Sequence, residues 1–408
     1  MNEKRRAGRL KKFFLGVFFS AAFSLSAQIT EIKDTFYHVV SDGGGADAAV
    51  VLRDLELRFR AYNRIFGFDP AVLGTPLKVR TFVDKADYDA YVRARTGGVQ
   101  DGAVYMHYGR KENRELAIHR GSPGEAAALA HQSFVQFLRA FVDHPPAWML
   151  EGFAVFFSSL RFVPEADALD YTENLAWLEQ VKGLGNDAPS PEVILRAGGR
   201  DVPRHFQPLA WSVVSFFLNY AVPDADAPTH DAGLNYGRNI YSRILTEIFM
   251  ILDPAAPAQV NTEAVMRRIG LRTDMETLRR DYRAYLAGRK TFAELIRDGR
   301  AAYARKDAAA AELGFREAGD LNPGHYAPSY YLGLLAYERG DYGAAEEFYR
   351  AAQEYGADPG LVNFARGLNA AAAGRTSDAG RFLEDAARAS PSRFGRRAGD
   401  VMRRLTGE

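Results

Sequence analysis

The stretches EAAALAHQSFVQFL (125–138) and PPAWMLEGFAVFF (145–157) organise this chain. In the first stretch, apolar residues recur at the spacing of one helix face, which predicts a helix with one buried side. The second stretch opens with two prolines, and proline both lacks an N–H and disfavours helical backbone in the residue before it. We therefore predict two packed helices that are joined by a short turn.

The first helix carries a histidine in a pattern that is close to a zinc-peptidase motif. In the usual motif, His-Glu-x-x-His, two histidines four residues apart share one helix face, and the glutamate acts as general base on the metal-bound water. Here His131 fits the first ligand position. Gln132 occupies the position of the base, but an amide does not take up a proton near neutral pH. Val135 occupies the position of the second ligand and has no lone pair to offer.

A second motif lies on the following helix. The segment WMLEGFA (148–154) resembles the Trp-x-x-Glu-Gly-x-Ala signature of gluzincin metallopeptidases, in particular the peptidase-MA-like group of exported bacterial proteins. Segments 207–219 and 274–286 are similar to later helices of that group. The resemblance covers residues 35–290 and implies a zincin-like fold, with a small sheet beside the helix of the active site.

The resemblance also implies which residues would have bound zinc. His131 corresponds to the first ligand and Glu151 to the third, whereas Gln132 and Val135 replace the base and the second ligand. A catalytic zinc site needs about three protein ligands and an open position for water. We therefore predict a degenerate site with no catalytic residue, no cofactor and no bound metal; any residual metal ligands would be His131 and Glu151.

Other interpretations of these residues remain open. His131 also falls on an apolar face and can be a core histidine, and it can serve as the partner that a buried Glu151 needs. That apolar face comprises Ala127, Ala130, Phe134, Leu138 and Phe141. The alternative from another class is a zinc-dependent metallopeptidase with an atypical ligand set, in which Asp143 or His144 reaches the metal. We expect His107 and His119 to be packing or surface residues.

Composition and charge restrict the class of protein. The chain has 408 residues, of which 47% are hydrophobic and 25% charged, and it has no cysteine. Residues 1–27 resemble an export signal, because six basic residues precede a mainly apolar stretch that is too short to span a bilayer. We predict an exported protein that is periplasmic or associated with a bacterial envelope; an uncleaved anchor is the alternative. Residues 28–408 carry a net charge of −4, which does not indicate a nucleic-acid partner.

Periodicity and turn residues predict the elements of the N-terminal part. The predicted strands cover 35–40, 77–83, 102–108 and 115–119, and the predicted helices cover 46–66, 87–93, 171–181, 191–196, 205–220, 236–251 and 274–286. Residues 223–235 form a predicted loop that is rich in proline, aspartate and glycine. The fold class is therefore α+β, with a small mixed sheet and a helical subdomain.

The C-terminal part contains an internal repeat. Gly299, Gly333 and Gly367 are spaced by 34 residues, and two series of alanines follow the same period. This spacing resembles the tetratricopeptide repeat, a helix–turn–helix unit that stacks into a solenoid. We predict three domains: a signal peptide (1–27), a gluzincin-like domain (28–290), and three repeats with a capping helix (291–408).

Together these features predict an exported, non-catalytic scaffold. Its partner would be a protein or a peptide that binds in the groove of the repeat array. The degenerate cleft would also suit an extended peptide paired with the edge of the sheet, because such pairing needs no metal. A purely structural component of the envelope is a third possibility.

Overall fold

The computed structural model describes residues 29–171, 173, 175–199, 201–220 and 239–406. The predicted signal peptide and the predicted loop 223–235 lie outside these residues. The strands are β1 (Thr30–Lys33), β2 (Tyr37–Ser41), β3 (Leu77–Phe82), β4 (Ala103–Met106), β5 (Glu115–His119), β6 (Leu160–Val163) and β7 (Ala168–Tyr171). The helices of the N-terminal part are α1 (Gly44–Phe66), α2 (Lys85–Thr96), α3 (Glu125–Phe141), α4 (Ala147–Phe157), α5 (Ala176–Gly183), α6 (Pro191–Arg196), α7 (Phe206–Asn219), α8 (Ile240–Ile251), α9 (Ala258–Gly270) and α10 (Met275–Gly288). The C-terminal helices are α11 (Phe292–Ala304), α12 (Ala308–Leu321), α13 (Tyr326–Glu338), α14 (Tyr342–Glu354), α15 (Pro359–Ala372), α16 (Thr376–Ala389) and α17 (Arg396–Thr406).

A five-stranded mixed sheet lies at the N-terminus, in the order β1-β2-β3-β5-β4. Strands β2, β3 and β5 are parallel, and β1 and β4 add antiparallel edges. Helices α1 and α3 pack on one face of the sheet and share its main core, whereas α2 covers the other face over a smaller core. The edge strand β4 therefore lies beside α3, the helix that carries His131.

The helical subdomain is built around α7. All side chains of α7 are buried except Gln207 and Asn219, so this helix is enclosed by its neighbours along nearly its whole length. Helix α4 packs closely against α7, and α5, α6, α8 and α10 also contact it. Within the described ranges, no helix combines the length and the apolar character that crossing a membrane requires.

The C-terminal helices pack as successive pairs, α11 with α12, α13 with α14 and α15 with α16. The glycines of the 34-residue period lie where two helices of a pair meet; a Cβ on Gly333 would lie 2.5 Å from the ring of Tyr349. The first pair is fixed to the N-terminal part, because Lys182 on α5 forms an ion pair with Glu294 on α11 at 2.7 Å. A small mixed sheet followed by a run of helices agrees with the predicted α+β and all-α parts.

The sequence-based prediction of secondary structure is wrong at one place and incomplete at others. The predicted helix 171–181 begins only at Ala176, because Tyr171 ends β7 of a two-stranded hairpin. That hairpin turns at Asp167, whose φ of 48° is left-handed and whose carboxylate pairs with Arg53 on α1 at 2.6 Å. Strand β1 and helix α9 were also not predicted from the sequence. The remaining predicted strands and helices lie where expected within a few residues.

Candidate functional site

The turn between α3 and α4 is fixed by hydrogen bonds from three directions. Arg114 donates to the carboxylate of Asp143 at 2.7 Å, and the N–H of Asp143 donates to the carbonyl of Pro254 at 2.9 Å. The amide of Asn261 donates to the carbonyl of His144 at 3.3 Å. Burial raises the pKa of Asp143, but the bond from Arg114 and the positive charges of Arg114 and Lys111 together outweigh it, so the net shift is downward. Asp143 is therefore engaged with an arginine, and the ring of His144 is exposed.

A close contact between α4 and α7 brings Glu151 to its position. A Cβ on Gly152 would lie 2.5 Å from the carbonyl oxygen of Ala210, so only glycine allows the two helices to approach this closely. Glu151 then faces the first turn of α7, where the amide nitrogen of Gln207 donates to its carboxylate at 3.3 Å. No motif in the sequence indicates this role for Gln207.

His131 and Glu151 lie close together, but they do not form the hydrogen bond that would make His131 the partner of a buried Glu151. The Nε2 atom of His131 lies 3.9 Å from a carboxylate oxygen of Glu151, which is longer than a hydrogen bond. Burial lowers the pKa of His131, and the nearby negative charge of Glu151 opposes this shift without cancelling it. The imidazole is therefore neutral near pH 7. Within the described residues, its buried Nε2 atom has no hydrogen-bond partner.

The apolar face of α3 is rotated from the one predicted. Ala130 and Phe134 are fully buried, but Ala127 is exposed and the side chain of His131 retains 22% of its accessible surface. His131 therefore lies at the rim of the buried face, on the side of α3 that faces Glu151.

Gln132 is hydrogen-bonded to the edge strand of the sheet. Its Oε1 atom accepts a hydrogen bond from the backbone N–H of Tyr105 on the edge strand β4, at 3.0 Å. Its amide nitrogen lies 3.4 Å from Nδ1 of His131. No local pattern in the sequence indicates that a side chain of α3 will reach the backbone of β4.

This contact bears on the predicted pairing of a peptide with the sheet edge. The N–H of His119 donates to the carbonyl of Gly102, so in an antiparallel ladder the N–H groups of Ala103 and Tyr105 point away from β5. The N–H of Ala103 donates to the carbonyl of Asp101 at 3.0 Å, and that of Tyr105 donates to Gln132. An added strand would have to displace both bonds.

The residues at this site do not fit a catalytic zinc ion. Val135 is half-buried on the face of α3 that carries His131, and its side chain has no donor atom. In the part of the chain that the structure describes, no three histidine, cysteine, aspartate or glutamate residues are grouped so as to hold a metal. Gln132 cannot act as a general base, because an amide is not basic.

His107 follows β4 and His119 ends β5, and each has a packing environment of its own. The ring of His119 stacks on Tyr88 with centroids 5.5 Å apart. Burial, together with the charges of Arg139 and Arg114, lowers the pKa of His107 to about 4. Both positions agree with packing roles for these histidines.

A scan against protein-family models finds no match to this chain, and a search of curated proteins also finds none.

Proposed function

We propose that this chain is an exported, non-catalytic scaffold. In this proposal a degenerate gluzincin-like domain supports a tetratricopeptide-repeat solenoid, which binds a protein or a peptide in the bacterial envelope. The observation that carries the proposal is the use of Gln132, which accepts a backbone hydrogen bond from Tyr105 where a peptidase would have its general base. Gln132 stabilises the edge strand but cannot accept a proton. This supports a fold that is retained without peptidase activity.

The arrangement of the C-terminal helices supports the assignment of the binding surface. Helix α13 contacts α15, and α15 contacts the terminal helix α17, so these helices lie side by side in the array. In this proposal they line the inner face of the array, where Tyr330 is half-buried.

Binding is assigned to this inner face rather than to the cleft of the N-terminal domain. The outward N–H groups at the start of β4 already donate to other groups of the protein, which leaves the edge unsuited to strand addition. Side chains on a rigid array of helices can instead bind a peptide without rearranging the sheet.

A selection from a random peptide library tests the proposal. The full chain from residue 28 serves as bait, and the affinities of enriched peptides are measured by calorimetry. We expect micromolar binding that Tyr330→Ala weakens at least about tenfold, whereas Tyr355→Ala, at an exposed tyrosine after α14, leaves it unchanged. Peptides that bind both variants as tightly as the wild type would contradict a groove on the inner face.

The competing proposal is a zinc-dependent metallopeptidase with an atypical ligand set. It requires a third ligand near His131 and Glu151, but the carboxylate of Asp143 is paired with Arg114. A metallopeptidase of this kind would cleave an unfolded protein such as casein in the presence of zinc. The Glu151→Ala variant would lose this cleavage.

A further inference from the structure

A cavity of about 450 Å³ lies between the end of α5, the loop that precedes α6 and one side of α10. Its volume is in the range of sites that bind small molecules. Helix α10 lines the cavity with Tyr282, Arg283, Leu286 and Ala287, which lie on one side of the helix. None of the lining residues belongs to the candidate site on α3 and α4, so this is a separate feature of the N-terminal part.

The walls of the cavity are held in place at both ends of α10. Near the start of the helix, Arg279 forms an ion pair with Glu192 on α6. At its end, Lys182 on α5 donates to the backbone carbonyl of Arg289 at 2.7 Å. The lining residues of α10 fall between these two contacts. The cavity is therefore pre-formed, and a ligand does not have to order its walls.

The charged side chains that line the cavity are positive. Within the described residues, Lys182 and Arg283 line it and no carboxylate does. Lys182 donates to the carboxylate of Glu294 and to the carbonyl of Arg289, both at 2.7 Å, which leaves a further N–H group of its ammonium without a partner in the described ranges. Because Glu294 balances the charge of Lys182, the uncompensated charge is that of Arg283. Arg283 is exposed and makes no ion pair with any described residue.

The rest of the lining is mainly apolar. Val181 lies at the end of α5 and Leu286 on α10, while Pro189 and Pro191 line the cavity from the loop. The rings of the two prolines fix the backbone φ angle of that wall. A ligand that matches this lining has an apolar body and a single negative charge.

We propose that this cavity binds a small organic anion, a monocarboxylate with an apolar body. Arg283 pairs with the carboxylate, because the N–H groups of a guanidinium match the two carboxylate oxygens. Lys182 offers its remaining N–H group to the same cavity, and Val181, Leu286 and the two prolines contact the apolar body. The inference does not depend on the proposed repeat groove, because all the lining residues precede the repeats.

A ligand-observed NMR titration of the chain from residue 28 tests this inference. The probe is phenylbutyrate, and the matched probe is its neutral amide, phenylbutyramide, which keeps the apolar body. We expect phenylbutyrate to bind about tenfold more tightly at low salt, with a difference that shrinks as salt screens the charge. Arg283→Gln should remove this difference. Arg267→Gln, at an exposed arginine of α9 that does not line the cavity, should leave it unchanged.

A second variant locates the binding. Ala287 is exposed and lines the cavity, so Ala287→Trp fills the space without disturbing the core. We expect Ala287→Trp to bind neither probe. Lys182 is left intact in these variants, because its ion pair with Glu294 also holds α11. Far-UV circular dichroism of each variant excludes unfolding as a cause.

Each contrary outcome overturns a stated part of the inference. Equal binding of the two probes to the wild type would overturn the preference for an anion. A preference that persists in Arg283→Gln, or binding that persists in Ala287→Trp, would show that the probe binds elsewhere and would overturn the site. Absence of phenylbutyrate binding at millimolar concentration would overturn a site for monocarboxylates. None of these outcomes bears on the library selection that tests the repeat groove.

Discussion

Replacing Gln132 tests whether its hydrogen bond to the edge strand stabilises the sheet. In Gln132→Ala the backbone N–H of Tyr105, a residue that is only 9% exposed, loses its acceptor. A buried donor without a partner costs about 1–3 kcal/mol. Because Gln132 is itself half-buried, water can enter the space that it leaves, so we expect a loss of about 1–2 kcal/mol in the free energy of unfolding.

The effect should also be local. A cost of 1–2 kcal/mol raises the equilibrium population of the locally open state about 5- to 30-fold. The amide hydrogen of Tyr105 should exchange faster by the same factor. The assays are urea denaturation and hydrogen exchange followed by mass spectrometry over β4. The matched variant is Gln132→Glu, whose carboxylate can still accept from Tyr105 and should stay within about 0.5 kcal/mol of the wild type. Unchanged stability and unchanged exchange at Tyr105 in Gln132→Ala would refute this role.

Three further predictions concern packing, pH and metal. Gly333→Ala should destabilise the repeats by about 1–2 kcal/mol in urea denaturation, because its Cβ would lie 2.5 Å from an aromatic ring. Gly380→Ala, which meets nothing within 4 Å, should be neutral or stabilising by up to about 1 kcal/mol, and equal losses would contradict the packing argument. His107 has its pKa lowered to about 4, so its contribution to stability is complete above about pH 6.5 and is lost as the pH falls toward 4. When the pH falls from 7.5 to 5, the free energy of unfolding of the wild type should fall by about 1 kcal/mol more than that of His107→Gln. This is half of the difference that the pKa shift implies, because the ring is partly solvated. Equal losses would show that the pKa of His107 does not change on unfolding. Adding Val135→His to Gln132→Glu should supply a third ligand beside His131 and Glu151 and give near-stoichiometric zinc after dialysis. A double variant without zinc would show that His131 and Glu151 are not placed to bind a metal together.

Local signals in the sequence were sufficient for most of the fold. The apolar spacing of α3, the prolines before α4 and the alternation in β3 each arise from residues close together in the chain, so periodicity predicts them well. The hairpin of β6 and β7 was missed because its strands have only four residues each and its turn is held by an ion pair between Asp167 and distant Arg53.

The candidate site was predictable in its residues but not in its contacts. The motif positions of His131 and Glu151 indicated that the two side chains would meet, and they lie 3.9 Å apart. The bond from Tyr105 to Gln132 joins a strand to a helix 27 residues later. Gln207 reaches Glu151 because Gly152 allows α4 and α7 to touch. These contacts depend on tertiary packing, which no short motif encodes.

The zinc content of the chain from residue 28, purified without chelator, tests the central claim most directly. It is measured by elemental analysis beside the His131→Ala and Glu151→Ala variants. We predict well below one zinc per chain in all three proteins, with His131→Ala changing only stability. Near-stoichiometric zinc in the wild type that is lost in both variants would contradict the account and indicate a functional metal centre.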